Sequence, residues 1–280
     1  MNIRGLDPLV AQQVVAGGVV DRPASVVKEL LENALDAGAS RLEIEVGEDG
    51  ASRILVRDDD SGMSPEDVKL SILRHATSKI NSVEDLESVN TLGFRGEALP
   101  SIASVSSFSL STATGEGAGT KVTVDGGASA ELSAISHPKG TTVLVERHFY
   151  NVAARRAFLK GARTERAAIV EVVSHLAVSH PLVGFRLSEV GGRELLSLPT
   201  AKDLRERLAQ LYGVGKVRDF DQSRWSGADQ GVRGSSPGGR CRIRRPHSLS
   251  HRRHSRHLRC PAPRRPAAHS DGPRRREPCQ

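Results

Sequence analysis

The sequence predicts an α+β protein, one layer of helices on a mixed β-sheet. Three observations carry this. Short segments such as "RLEIEV", "SRILVRD" and "TKVTVDG" alternate apolar and polar residues, the period of a half-buried strand. Longer segments such as "SVVKELLENALDA" and "TERAAIVEVVSHLAV" repeat apolar residues every three or four positions, the period of a helix packed on one side. The strands come in runs with helices grouped around them, rather than one helix for each strand.

In chain order, "LDPLVAQQVVAGGVV" carries Leu6, Leu9, Val10, Val14 and Val15 on a helical stripe that Gly17-Gly18 ends. "DRPASVVKELLENALDAG" is predicted as a second helix, with Asp21 as N-cap, a proline in the first turn and Gly38 as the stop. Its buried side is Leu30, Leu31, Ala34 and Leu35. "RLEIEV" and "SRILVRD" form a hairpin around "GEDG", with Asp58 at the end of the second strand. Residues 62–103 are Gly-punctuated, hold short helical pieces such as "SPEDVKLSILRHA", and have the character of a functional loop or lid. Strands follow at "SFSLSTA", "TKVTVDG", "AELSAIS" and "TTVLVER". A helix then places Ile169, Val172, Val173 and Leu176 on one face, "GFRLSEV" pairs with "RELLSLP", and a last helix uses Leu204, Leu208 and Leu211.

The 280-residue chain has a formal net charge of +7, which would suggest a nucleic-acid or membrane partner. Position removes that inference. Residues 219–280 hold 15 of the 40 Lys+Arg and 5 of the 33 Asp+Glu, so they carry +10 and the rest carries −3. The same stretch has no lysine, all three cysteines (Cys241, Cys260, Cys279), and half of the 14 prolines and ten histidines. It has too few apolar residues to bury a core. One reading is a basic arm that binds nucleic acid. The other, which the composition favours, is translation out of frame. The cysteine spacing matches no zinc-site pattern. No apolar run approaches the length of a bilayer span, and residues 1–20 lack the pattern of a secretion signal, so the expectation is a soluble intracellular protein.

Common catalytic motifs are missing. The only Gly-Lys near a phosphate-loop pattern, Gly215-Lys216, is followed by Val217; there is no HExxH and no GxSxG. "GEGAGTK" at 115–121 has no helix after it and is a turn between strands. Four pieces remain. Glu29, Asn33 and Asp36 are spaced four and three apart, on one helix face. Asp58 ends a strand and is followed by Gly62. "HATSK" is followed by "LGFRGEAL", where glycines 93 and 96 let backbone amides approach phosphates. "GTTVLV" brings a Gly-Thr into a strand at 140–145. Each piece alone is weak: a solvated face, a turn, a loop, a strand start.

Together, in this order and at these distances, they resemble the GHKL ATPase superfamily of gyrase, the heat-shock chaperone, histidine kinases and MutL. "RPASVVKELLENALDAGAS", "HATSKI", "LGFRGEALPSIASVS" and "FYNVAARRAFLK" are similar, more specifically, to the amino-terminal ATPase half of the MutL mismatch repair family, from about residue 3 to about residue 218. The resemblance implies a GHKL (Bergerat) sandwich over residues 1–198, the start of an incomplete second α/β subdomain at 199–218, and a basic tail outside both at 219–280. It implies Glu29 as the general base that orients the attacking water, and Asn33 as the Mg²⁺ ligand. Asp58 would accept the adenine amino group, supported by Gly62 and by Thr141 or Thr142. Thr77, Ser78, Lys79, Gly93, Phe94, Arg95, Gly96, Glu97, Ala98 and Leu99 belong to the implied ATP lid. Asp36 positions neighbouring loops. The implied activity is slow Mg-ATP hydrolysis that drives lid closure and self-dimerisation. The implied partners are DNA and a mismatch-recognition protein of the MutS type, in the cytoplasm and on the nucleoid during repair, with no membrane.

Four departures from the family pattern stand out. Gly18 replaces a glutamate before the catalytic helix. Asp60 replaces the first glycine of the Asp-x-Gly-x-Gly adenine motif, which would cost strain if that position needs φ > 0, and adds a negative charge near the nucleotide. Ala153 replaces a proline. The second subdomain is cut short, with no match to the family's γ-phosphate lysine, and the carboxy-terminal dimerisation domain, which bears nuclease motifs in many members, is absent from the sequence. The competing class is a nucleic-acid-binding protein whose basic tail does the work over a nucleotide-free scaffold; its DNA binding would be steeply salt-dependent and would vanish without residues 219–280. A histidine kinase or gyrase relative is disfavoured by "GFRGEAL" and by the lack of a phosphoacceptor helix.

Overall fold

The computed structural model describes residues 5, 16, 18–79, 96–115, 117–215 and 217. Leu6, Leu9, Val10, Val14 and Val15 of the first expected helix, Gly93, Phe94, Arg95 and the tail from 219 onward lie outside the described residues; Ala16, Gly18 and Val19 are helical, so Gly18 does not end that helix as expected.

Eight strands form one mixed sheet. They are β1 (Arg41–Val46), β2 (Arg53–Asp58), β3 (Ser107–Ala113), β4 (Gly117–Asp125), β5 (Glu131–His137), β6 (Gly140–Glu146), β7 (Gly184–Glu189) and β8 (Glu194–Leu198). Their order is β5-β4-β3-β6-β2-β1-β7-β8. Every pairing is antiparallel except β1 with β7, where Leu42 lies beside Phe185 and Ile44 beside Leu187. The predicted alternation holds. Leu42, Ile44, Val46, Ile54, Val56, Phe108, Leu110, Val143 and Val145 are buried, while their neighbours within the strands are half-buried or exposed. The opposite face carries cross-strand ion pairs instead, with Arg53 bridging Glu45 (3.2 Å) and Glu146 (2.9 Å).

The helices are α1 (Pro23–Asp36), α2 (Pro65–Ser71), α3 (Ala98–Ser104), α4 (Ala153–Arg156), α5 (Ala162–Ser179) and α6 (Leu204–Tyr212). α1 packs on α5 and β2 and buries Leu30, Leu31 and Ala34, as its period predicts; Leu35 is only partly buried. Its start differs from expectation. The N-cap position is Arg22, not Asp21, and no side chain caps it. Arg22 instead reaches the carboxylate of Glu165 (3.0 Å), which is 2% exposed and also accepts from the Lys160 amide (3.0 Å), so the helix entry is tied across to the first turn of α5. Asp21 accepts from the Ser25 hydroxyl. α5 buries Ile169, Val173 and Ala177, with Val172 and Leu176 at the edge of that contact.

α6 also departs from its period. Leu204 is 48% exposed, while Arg207 is fully buried. The Arg207 guanidinium donates to the backbone carbonyls of Pro181 (2.8 Å) and Val183 (2.5 Å) and to Gln210 (2.9 Å). A charged side chain is kept inside because the carbonyls of the α5–β7 connection give it partners. Of the residues that depart from the family pattern, Gly18 faces open space and Ala153 occupies the first position of α4, where a proline would also fit.

Candidate nucleotide site

The site has two ends. The first is built where β2 stops. Asp58 Oδ1 accepts the Thr141 amide (2.9 Å) and the Asp60 amide (3.2 Å). Asp60 Oδ1 accepts the Gly62 amide (2.7 Å) and the Thr141 hydroxyl (3.1 Å). Thr112, opposite Thr141 in the β3–β6 register, lies 3.0 Å from its hydroxyl and accepts the Met63 amide (3.0 Å). Gly62 and Gly140 allow this closeness. At Gly62, φ is +70° and a Cβ would fall 2.0 Å from the Ala113 carbonyl oxygen; at Gly140, φ is +118° and a Cβ would fall 2.3 Å from that of Asp58.

The strand period decides between the two threonines. Thr141 is buried beside Val143 and Val145 on the helix side of β6, while Thr142 lies on the other face and meets His137 Nε2 (3.0 Å). The expected strain at Asp60 does not arise, because Asp60 is not among the residues with positive φ. The expected charge does arise. Burial, and then the Asp60 carboxylate, push Asp58 well above the usual carboxylate range, to about 8. Among the described residues, neither carboxylate has an ion-pair partner.

The second end is on α1. Glu29, Asn33 and Asp36 are all half-buried there. Burial, its largest influence, raises the Glu29 pKa against the pull of Lys28 at 3.7 Å. Lys79 reaches in from the "HATSK" segment, and its ammonium lies 3.1 Å from Asn33 Oδ1 and 2.5 Å from Asp36 Oδ2. Both charged groups are largely buried, at 17% and 11% exposure. The Lys79 amide donates to Thr77 Oγ1 (3.1 Å), and Ser78 is exposed. The two ends are stitched together: the Ser40 amide and hydroxyl and the Arg41 amide, just past α1, all donate to Asp59, which lies between Asp58 and Asp60.

Gly96 and Glu97 lie against the start of the "HATSK" segment. A Cβ at Gly96, whose φ is +61°, would fall 2.4 Å from the Ala76 carbonyl oxygen, and Glu97 meets His75 Nδ1 at 3.3 Å. Ala98 and Leu99 open α3. A cleft elsewhere, lined by Arg22, Arg155, Lys160 and Glu165 among others, shares no residue with this site.

Among the described residues, no cluster of three His, Cys, Asp or Glu could hold a metal ion alone. Asn33 and Asp36 nevertheless hold the Lys79 cation with oxygen atoms, the donor type Mg²⁺ prefers, and Mg²⁺ commonly draws its remaining ligands from phosphates and water. The residues present fit that group.

A family model described as histidine kinase-, DNA gyrase B- and HSP90-like ATPase matches residues 21–154. The ATPase domain of Aquifex aeolicus MutL, solved with ADP, is 34% identical, with a TM-score of 0.55 over 69% of this chain and 70% of that one. This chain belongs to the MutL ATPase family. The DNA mismatch repair protein MutL of Anaeromyxobacter sp. (strain K) is 48% identical over 213 residues, 76% of this chain and 35% of that protein. The Streptococcus pyogenes serotype M5 MutL is 48% identical over 218 residues, 78% of this chain and 33% of that protein. The chain thus spans about a third of the length of these MutL relatives. Its eight-stranded mixed sheet under a helical layer is the fold of the MutL ATPase domain. No helix among the described residues is long and apolar enough to cross a membrane.

Two contributors escape a reading of motifs alone. Thr112 carries a usable signal: it is the polar member of the inward set Phe108, Leu110, Thr112 on β3. Gly140 opens the Gly-Thr piece at 140–145, but its need for a bare Cα comes from Asp58, far away in sequence.

Proposed function

We propose that this chain is the ATP-binding and hydrolysing part of a DNA mismatch repair protein. The observation that supports it most is the seat of Lys79, whose ammonium sits on Asn33 and Asp36 where the resemblance puts metal and phosphates. Asp58, held by the Thr141 and Asp60 amides, accepts the adenine amino group when ionised. Lys79 would turn from Asn33 to the phosphates of a bound nucleotide. Asn33 would hold Mg²⁺, which would supply neutralisation of phosphate charge. Glu29, one helical turn from Asn33, orients a water in line with the γ-phosphate and takes its proton; its raised pKa makes it the stronger base.

The finer parts of the proposal rest on the family resemblance: slow turnover, closure of the lid residues, pairing of two chains, and hand-over between DNA and a mismatch-recognition protein. So does the division into an ATP-binding domain at 1–198, the start of a second subdomain at 199–218 and a tail at 219–280. The test is calorimetric titration of a non-hydrolysable ATP analogue with Mg²⁺ into the native chain and into Asp58→Ala. Saturable binding that the substitution abolishes is expected. No binding by a folded native chain would overturn the reading.

A further inference from the structure

We infer that the Asp60 carboxylate makes Asp58 harder to ionise at the nucleobase end of the site, and thereby raises the pH range in which the chain binds adenine nucleotide. The inference rests on the ATP-binding reading and concerns a residue that reading does not otherwise use.

The geometry supports it. The two residues lie two apart in sequence, and Asp60, itself only 7% exposed, donates its amide to the Asp58 carboxylate (3.2 Å). Donors are unevenly shared. Asp60 takes the Gly62 amide at Oδ1 and the Thr141 hydroxyl at Oδ1 and, more distantly, Oδ2 (3.4 Å). Asp58 takes both of its amides on Oδ1, and no described donor reaches its Oδ2. Negative charge is therefore better satisfied on Asp60, and Asp58 Oδ2 is the seat for a proton.

Among the described residues, no cation intervenes. From β3 the neighbour is Thr112, and from β6 they are Gly140 and Thr141. Asp59 is turned to the Ser40 and Arg41 amides, His137 and Thr142 are on the far face of the sheet, and Lys79 is engaged with Asn33 and Asp36. Thr141 bonds both side chains, Asp58 through its amide and Asp60 through its hydroxyl, so the half-buried and the buried carboxylate lie close enough for their charges to repel. Burial and the Asp60 charge accordingly raise Asp58 to about 8.

The chemical consequence is direct. Protonation makes Asp58 Oδ2 a hydroxyl, a weaker acceptor for an amino donor than a carboxylate oxygen, so adenine binding favours the ionised form. Affinity then falls by up to about tenfold for each pH unit below the midpoint. Asp60→Asn keeps an acceptor for Gly62 and Thr141 and offers Asp58 a neutral amide donor, so the midpoint should drop.

The experiment is ADP titration from pH 6 to 9.5 on the native chain and on Asp60→Asn, with carbon NMR titration of the aspartate carboxyls in the nucleotide-free proteins. Native affinity for ADP should fall by up to about tenfold from pH 9 to pH 7, and by clearly less in Asp60→Asn. The Asp58 carboxyl should titrate at lower pH in Asp60→Asn than in the native chain, and still above the ordinary range, because its burial remains. If both proteins bind ADP with the same pH profile, the inference is overturned and the ATP-binding reading stands. If neither folded protein binds ADP at any pH, the ATP-binding reading falls, and with it the link to binding. A native Asp58 carboxyl that titrates in the ordinary range overturns the inference whatever ADP does.

Discussion

Replacing Gly62 by alanine should unfold the nucleobase end of the site before it touches any ligand. Gly62 sits at φ +70°, and its added Cβ would meet the Ala113 carbonyl oxygen at 2.0 Å and the Thr114 amide nitrogen at 2.9 Å. The left-handed conformation costs an alanine about 1–2 kcal/mol. Relieving the clash means moving the end of β3 by more than an ångström, an overpacking cost of about 1–3 kcal/mol. That movement stretches the Gly62 amide bond to Asp60 (2.7 Å) and the Met63 amide bond to Thr112 (3.0 Å), at about 1 kcal/mol each. The sum is roughly 4–7 kcal/mol, a large part of the roughly 5–15 kcal/mol that holds a typical domain together. Urea unfolding followed by circular dichroism reads the loss. Gly38→Ala is the control, because Gly38 has φ +86° with open space around its Cα, so it should lose only the backbone contribution. If Gly62→Ala is no less stable than Gly38→Ala and binds ADP like the native chain, the close approach of Gly62 to β3 is not what shapes this end of the site.

Three further outcomes follow from the same contacts. Lys79→Met removes the ammonium from Asn33 and Asp36; it should cost about 1–3 kcal/mol and make thermal stability more responsive to MgCl₂ than in the native chain, and equal responses would show that the two cations do not compete. Arg207→Met strips the buried carbonyls of Pro181 and Val183 of their donor and should cost about 3 kcal/mol in urea, whereas Leu204→Ala, at an exposed site, should stay within about 0.5 kcal/mol. His148 is buried with both ring nitrogens unpartnered among the described residues, and burial first, then Arg155, lowers its pKa to about 4. Its contribution is therefore complete above the unfolded value of 6.5 and lost as pH falls through 4, about 3 kcal/mol in all; His148→Phe should flatten that part of a urea-stability profile.

What the sequence makes legible here is what repeats locally. The inward set Phe108, Leu110 and Thr112 and the helical set Leu30, Leu31 and Ala34 can be read from period alone, because burial on one side imposes the period. Asp58 was placed at a strand end because the alternation of β2 stops there. The misses share a different cause. Arg207 breaks the apolar stripe of α6 because carbonyls some 25 residues upstream offer it partners, and a helical period cannot register them. Asp21 loses the cap of α1 because Arg22 is drawn to Glu165, 143 residues away. Thr141 and Thr142 are left open by the motif, although the period of β6 separates them, with Thr141 falling in line with the buried Val143 and Val145. Lys79 is placed near phosphates by resemblance, yet its contact with Asn33 and Asp36 depends on how two distant segments approach.

The single parallel pairing bears on how the chain is made. β1 spans Arg41–Val46 and its partner β7 spans Gly184–Glu189, so one edge of β1 has no strand to bond until the later segment exists. At bacterial synthesis rates of about 5–20 residues per second, that interval lasts on the order of ten seconds. During it, Leu42, Ile44 and Val46 present an apolar face beside unpaired amides, which is the chemistry of strand-to-strand association between nascent chains. α1 and the β1–β2 hairpin therefore emerge early but are locked in late, and conditions that slow translation between residues 60 and 190 should raise the aggregated fraction more than any slowing after it.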